Sequence, residues 1–435
     1  MQTLRSVHLA NKARGVARLL PITMGPALRE LSVALKSPPG AKIDIPEDWD
    51  GNDDDAEGQA SALMAHISYL AQDLENLSYL GPTSKYLLQS FHALAGLTSL
   101  SLTITNTFKW DNLAFVAQMS ALQSLELVLL KSCKYEAPKD WVRPRTNLPN
   151  LTHFAVIGGC YNLLSTLFII RPTQLKHFKA SVTHVDYNDI NQGLRYLLAR
   201  NHELETFNVH VPNGIALRTD KTFESHTQEG NLNLLSKITT RIRSGNLREI
   251  TITGLPLFDK ETVKHVRWSC LERLRGSQLR TFRFHIPTAF SSSQEPGWHA
   301  NSNNLLYHIA FHGCHTPEHL ELQFLDSCFS TTLQLPPGIS THGLKTLGIV
   351  TDATELELSM QQKVDAANYI NVCFLRLERV WGTAVKDWQD VDFLIQTFKT
   401  NRKMFNAQPY IDEESDGVED EDEDDNDELD GWLGD

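Results

Sequence analysis

Six cysteines are scattered through 435 residues, and no two of them form a C-x-x-C pair. Cys133, Cys160, Cys270, Cys314, Cys328 and Cys373 therefore give neither a disulfide framework nor a zinc ribbon. Several occupy apolar positions and read as reduced core thiols of an intracellular protein, cytoplasmic or nuclear. Long apolar runs are equally scarce. The longest, residues 163–170, is far too short to cross a bilayer, and the N-terminus has no signal-peptide pattern. No membrane association is expected. The phosphate-cradling, dinucleotide-binding, nucleophile-elbow and H-E-x-x-H motifs are all missing, so neither enzymatic activity nor a cofactor is expected. The nearest approach to a metal site is His308, His312, Cys314, His315 and His319. No carboxylate completes that set, and histidines at a helix end complement its dipole, so no metal is expected.

What the chain does have is a recurring phrase: apolar, two residues, apolar, one residue, apolar. It reads Leu97-x-x-Leu100-x-Leu102, then Leu122, Leu125, Leu127, and again Leu247, Ile250, Ile252. Thirteen copies begin at Leu4, Leu28, Leu74, Leu97, Leu122, Leu151, Leu175, Leu204, Leu247, Leu279, Pro317, Leu344 and Phe374. The last two apolar positions have strand spacing. Between phrases the period turns helical, as in Asp111–Leu122, Asn231–Ile242 and Asp259–Leu274. A final helix over Asp387–Phe405 would cover the last unit with Val391, Leu394, Ile395 and Phe398. A unit that cannot bury its apolar face alone must stack on its neighbours. The expected fold is therefore α/β: one solenoid over residues 1–406, with a concave parallel sheet and convex helices.

The units are irregular in length, and the asparagine of regular leucine-rich repeats is missing from its usual slot, which holds Thr105, Leu130 and Gly159 among others. In this irregularity, in phrases such as LRELSVAL, LETFNVHV and LKTLGIV, and in its acidic tail, the chain resembles the repeat regions of fungal F-box/leucine-rich-repeat proteins. That resemblance implies a substrate-recognition surface of a cullin ubiquitin ligase. No position matches the F-box motif itself, so an adaptor of the Skp type is implied only if such a module precedes these residues. The alternative is an acidic-tailed leucine-rich-repeat regulator, of the GTPase-activating or histone-binding type.

Charge is unevenly placed. The net formal charge is −13, yet residues 411–435 alone carry fifteen acids and no base. Residues 38–58 hold eight acids and Lys42. Both segments repel themselves and read as disordered, the first within a tail over 407–435 and the second as a loop insertion. Basic residues collect in 237–283, where Lys260, Lys264 and Arg267 follow helical spacing as a candidate patch. An acidic protein without interleaved exposed aromatics there is a poor nucleic-acid binder.

Strand alternation turns the positions between the apolar ones toward solvent. Six of the seventeen histidines fall there: His8, His153, His177, His210, His285 and His319. His153 and His177 should be neighbours on adjacent strands. The candidate surface for a protein partner is accordingly His153, His177, Lys179, Asn208, His210, Thr251, Arg283, His285, His319 and Glu321.

Overall fold

A computed structural model of the chain describes residues 4–11, 27–35, 53–106, 113–116, 119–130, 148–159, 172–183, 190–211, 246–253, 278–285, 316–324, 342–351, 358–383 and 385–407, with parts of 163–170, 237–242 and 306–311 and residues 16 and 340. The strands are β1 (Ser6–Asn11), β2 (Glu30–Leu35), β3 (Asn76–Gly81), β4 (Ser99–Ile104), β5 (Ser124–Leu129), β6 (His153–Gly158) and β7 (His177–Val182). They continue as β8 (Thr206–His210), β9 (Glu249–Thr253), β10 (Thr281–His285), β11 (His319–Phe324), β12 (Thr346–Thr351) and β13 (Arg379–Gly382). All thirteen lie in one sheet in sequence order, and every adjacent pair is parallel. This is an α/β, solenoid-like architecture.

One backbone device recurs at each strand entry. The carbonyl of the residue before a strand accepts two successive N–H groups from the next strand's entry. Arg5 O receives Arg29 and Glu30, Thr98 O receives Gln123 and Ser124, and Lys345 O receives Glu378 and Arg379. The first apolar residue of each phrase precedes this junction and fixes where the strand begins.

Alternate strand residues are buried. Leu77, Leu100, Leu125, Phe154, Phe178, Phe207 and Ile250 form one column through the core, each at most 2 % exposed. Phe154, Phe178 and Phe207 follow one another with ring centroids 6.0 and 5.7 Å apart. Each such side chain stabilises the fold by roughly 1.5–3 kcal/mol relative to exposure. The helices described are α1 (Asp53–Leu70), α2 (Lys85–Ser90), α3 (Leu113–Val116), α4 (Ile190–Arg200), α5 (Met360–Cys373) and α6 (Val385–Ala407). Their apolar residues join the same core as the buried strand positions, so they cover one face of the sheet. The other, outer face carries the remaining strand side chains.

Twelve of the thirteen phrases lead into strands in the expected register. The thirteenth does not: β13 follows Leu377, not Phe374, and Thr346 pairs with Arg379. The reason is Gly382, which stands at the third apolar position. A Cβ there would collide with the Trp388 ring of α6, so the indole fills the space that a leucine fills elsewhere. Phe374 instead closes α5, its N–H donating to Ile370 O.

The acidic insertion is shorter than expected. Residues 53–58 belong to α1. Ala60, Leu63, Met64 and Ile67 then form its buried stripe. Residues 38–52 lie outside the described residues, as does the tail from 408. The helix expected over Asp111–Leu122 is also shorter. Leu113 and Val116 are buried as expected, but by Met119 the chain has turned to bring Leu122 to the mouth of β5.

The missing asparagine slot has partial substitutes. Asn106, buried just past β4, accepts from Thr83 N and donates to Thr83 O, tying its unit to the preceding one. Asn201 accepts from Leu175 N in the same manner. Among the described residues no helix is long and apolar enough to cross a membrane.

Candidate functional site: the outer face of the sheet

The strand register collects all ten candidate residues on one face. Lys179, Asn208, Thr251, Arg283 and Glu321 form an uninterrupted row across β7–β11, each paired with the next. His210, Thr253 and His285 form a second row. His153 and His177 are register partners, and their rings stack at 4.3 Å.

Three of these histidines are held identically. His177 Nδ1 meets Thr206 Oγ1 at 3.1 Å, His210 Nδ1 meets Thr253 Oγ1 at 2.6 Å, and His319 Nδ1 meets Thr346 Oγ1 at 2.7 Å. In each case the threonine is the register partner on the following strand. His153 Nδ1 bonds the hydroxyl of Thr152, its own neighbour. Engaging Nδ1 fixes the ring and leaves Nε2 without a hydrogen-bond partner among the described residues, a donor when Nδ1 accepts, with the ring a cation when both nitrogens carry protons. Burial, followed by the charges of His177 and Lys176, holds the His153 imidazole below its ordinary value.

The row's polar atoms are only partly satisfied. Asn208 Nδ2 donates to Glu249 Oε1 at 3.1 Å. Asn208 Oδ1 and Thr251 Oγ1 are shielded from solvent and find no hydrogen-bond partner among the described residues. Arg283 Nε lies 3.4 Å from Glu321 Oε2, and His285 Nε2 lies 2.5 Å from Glu321 Oε1 without the alignment of a hydrogen bond.

Glu321 departs from its expected exposure, being only 8 % exposed. Its register partner on β12 is Gly348, and a Cβ at that glycine would lie 2.7 Å from the Trp381 ring and 2.8 Å from Glu321 Cγ. The gap left by the glycine lets Trp381 and Glu321 close over it. Glu321 therefore orients Arg283 and His285 from below.

The basic patch Lys260, Lys264 and Arg267 lies outside the described residues, as do His308, His312, Cys314 and His315. Among the described residues no three His, Cys, Asp or Glu side chains gather as metal ligands. Cys373 is a buried free thiol, its pKa pushed up to about 12 by burial. A second surface, which the sequence reading missed, is a groove of about 630 Å³ between β13 and α6. Trp381, Val385 and Phe393 line it and are partly or largely exposed. Phe393 flanks the buried α6 stripe, and helical periodicity alone could have drawn attention to it.

Neither a scan against protein-family models nor a search of curated proteins finds a match to this chain.

Proposed function

We propose that this chain is a non-catalytic protein-binding scaffold, a leucine-rich-repeat solenoid of irregular units whose concave sheet receives a protein partner. One observation carries the reading. Thirteen strands in unbroken register spread a continuous row of solvent-facing polar side chains across the sheet, an extended surface in place of a pocket. Such a surface suits a partner that is itself extended or broad. By its resemblance to the repeat regions of F-box/leucine-rich-repeat proteins, the chain would present a substrate to a cullin ubiquitin ligase. The Skp adaptor would then be engaged by an F-box module and not by residues 1–435. The acidic tail serves as a regulatory or solubilising arm.

The test is affinity purification of tagged chain from its native cells, comparing outer-face and helix-side substitutions. Ser78→Arg on β3 and Ser181→Arg on β7 should each lose the partner. Tyr196→Arg on α4, where the tyrosine is exposed, should keep it. Purified Skp adaptor should not bind residues 1–435. Retention of the partner by both serine variants and its loss from Tyr196→Arg would place the interface elsewhere and end this reading.

A further inference from the structure

The outer face is divided by charge along the sheet. On β1–β5 its three facing positions per strand hold Glu30 and Glu126, one histidine, and neither lysine nor arginine. The same positions on β6–β10 hold Lys179, Arg283 and four histidines against Glu249 alone. Glu249 is already engaged by the Asn208 amide. Lys179 is exposed and has no partner among the described residues. Arg283 offers only Nε to Glu321, and its side chain is 49 % exposed, so the guanidinium tip is available. The threonine contacts engage Nδ1 of His177 and His210, and their Nε2 atoms have no hydrogen-bond partner among the described residues.

We infer that β6–β10 bind an extended acidic segment of a protein partner, whose carboxylates meet Lys179, the Arg283 guanidinium and the Nε2 atoms of His177 and His210. This rests on the reading of the outer face as a protein-binding surface. Charge complementarity is the ground for it, since the four groups are donors, and among the described residues the neighbouring carboxylates already have partners, Glu249 in the Asn208 amide and the buried Glu321 in Arg283 Nε and His285. The five strands span roughly 19 Å, matched by about six residues of extended chain. Nucleic acid is a poorer fit. Two fixed cations are few for a phosphate backbone, and these outer positions carry no Phe, Tyr or Trp on which bases could stack.

A fluorescent twelve-residue peptide of alternating Glu and Ser, titrated with the full chain at low and at physiological salt, provides the test. A Gln–Ser peptide serves as the neutral control. The acidic peptide should bind and weaken as salt screens the contact, whereas the neutral one should not bind. Lys179→Glu should weaken binding by roughly tenfold, Lys179→Arg should preserve it, and Glu126→Lys on β5 should leave it unchanged. A zero-length amine–carboxyl crosslinker should join Lys179 to the peptide. Equal binding of both peptides, no binding at low salt, or an unaffected Lys179→Glu would overturn the inference. Crosslinking of Lys179 to a carboxylate of residues 411–435 in place of the peptide would overturn it in favour of the chain's own tail. A partner that is lost on Ser78→Arg, with no acidic-peptide binding, would leave the scaffold standing and remove only this assignment.

Discussion

A side chain on the outer face has neighbours that lie 27 to 43 residues away in sequence, as the three His–Thr pairs show. Local spacing foretells that His153 and His177 both face outward and that their strands are adjacent, and the stacked rings follow from those two facts. It does not foretell that the threonines settle on Nδ1, because that depends on rotamers chosen across the sheet. Nor does it foretell the burial of Glu321, which follows from a missing side chain at Gly348. The stacked pair has a measurable consequence. With burial, His177 and Lys176 all acting against the charged form, His153 should titrate below the free-imidazole value of 6.5. Replacing His177 by Gln should raise the midpoint only part of the way, because burial remains the larger cause. A group depressed in the folded state contributes stability that is present above its unfolded pKa and lost as pH falls through its folded one. The His153 contribution should therefore fade below the ordinary histidine range. Side-chain NMR titration would check this, and a midpoint at or above 6.5 would show that the ring is solvated.

Helices α5 and α6 close the C-terminal end of the sheet, and they are joined by one buried lysine. Lys363 Nζ on α5 lies 2.7 Å from Asp387 Oδ1 and 2.7 Å from Asp390 Oδ2 on α6. Asp387 also accepts from Leu358 N at 3.1 Å. Beneath this lock, Trp388, Val391 and Ile395 pack into the core, while Asp392 accepts from Val380 N and Gln396 donates to Glu378 O along the outer edge of β13. The last strand's edge is thus occupied by side chains of α6 and not left open to pairing. Much of this element was legible in sequence. The stripe of Val391, Leu394, Ile395 and Phe398 marks the helix, which begins two residues before the expected Asp387. The slipped thirteenth phrase was not, since only the fold reveals that Trp388 substitutes for an apolar strand residue. Lys363→Ala would strand Asp387 in a buried site and should destabilise the chain by roughly 3 kcal/mol, at the low end for a buried pair because Asp390 is half exposed. Burial alone would raise the Asp387 carboxyl, but hydrogen bonds from Lys363 and the Leu358 N–H hold it below the usual carboxylate range. Its contribution is therefore present above the unfolded pKa and lost as pH falls through the folded one. Urea unfolding of wild type and Lys363→Ala should differ most near neutrality and converge in strong acid. A gap that does not shrink in acid would assign the loss to packing, not charge.

Across the whole molecule, among the described residues, each strand of the sheet is hydrogen-bonded only to the strands before and after it, so stability should be nearly a sum of nearest-neighbour terms. The repeated bifurcated junction makes those terms alike, which explains why a short phrase reveals the architecture despite irregular spacing. Between phrases, among the described residues, the helices α1 and α6 are the ones whose unbroken apolar stripes are legible in the sequence, whereas the helix expected over Asp259–Leu274 lies outside the described residues. The same one-dimensional logic predicts how damage spreads. Leu100, 1 % exposed in the middle of β4, packs within the buried column between Leu77 and Leu125. An aspartate there would bring an unpaired charge into the core at a cost far above that of a surface substitution. Ser101, its neighbour, is half-buried on the outer face and bonds Glu126 at 2.8 Å, so Ser101→Asp should cost little beyond like-charge repulsion. Hydrogen exchange read by mass spectrometry separates the cases. Leu100→Asp should accelerate exchange in β3–β5 most, with the effect declining strand by strand toward β11–β13, whereas Ser101→Asp should leave the profile close to wild type. Uniform loss of protection from β1 to β13 in Leu100→Asp would mean that the sheet unfolds as one cooperative block, and the nearest-neighbour picture would fail.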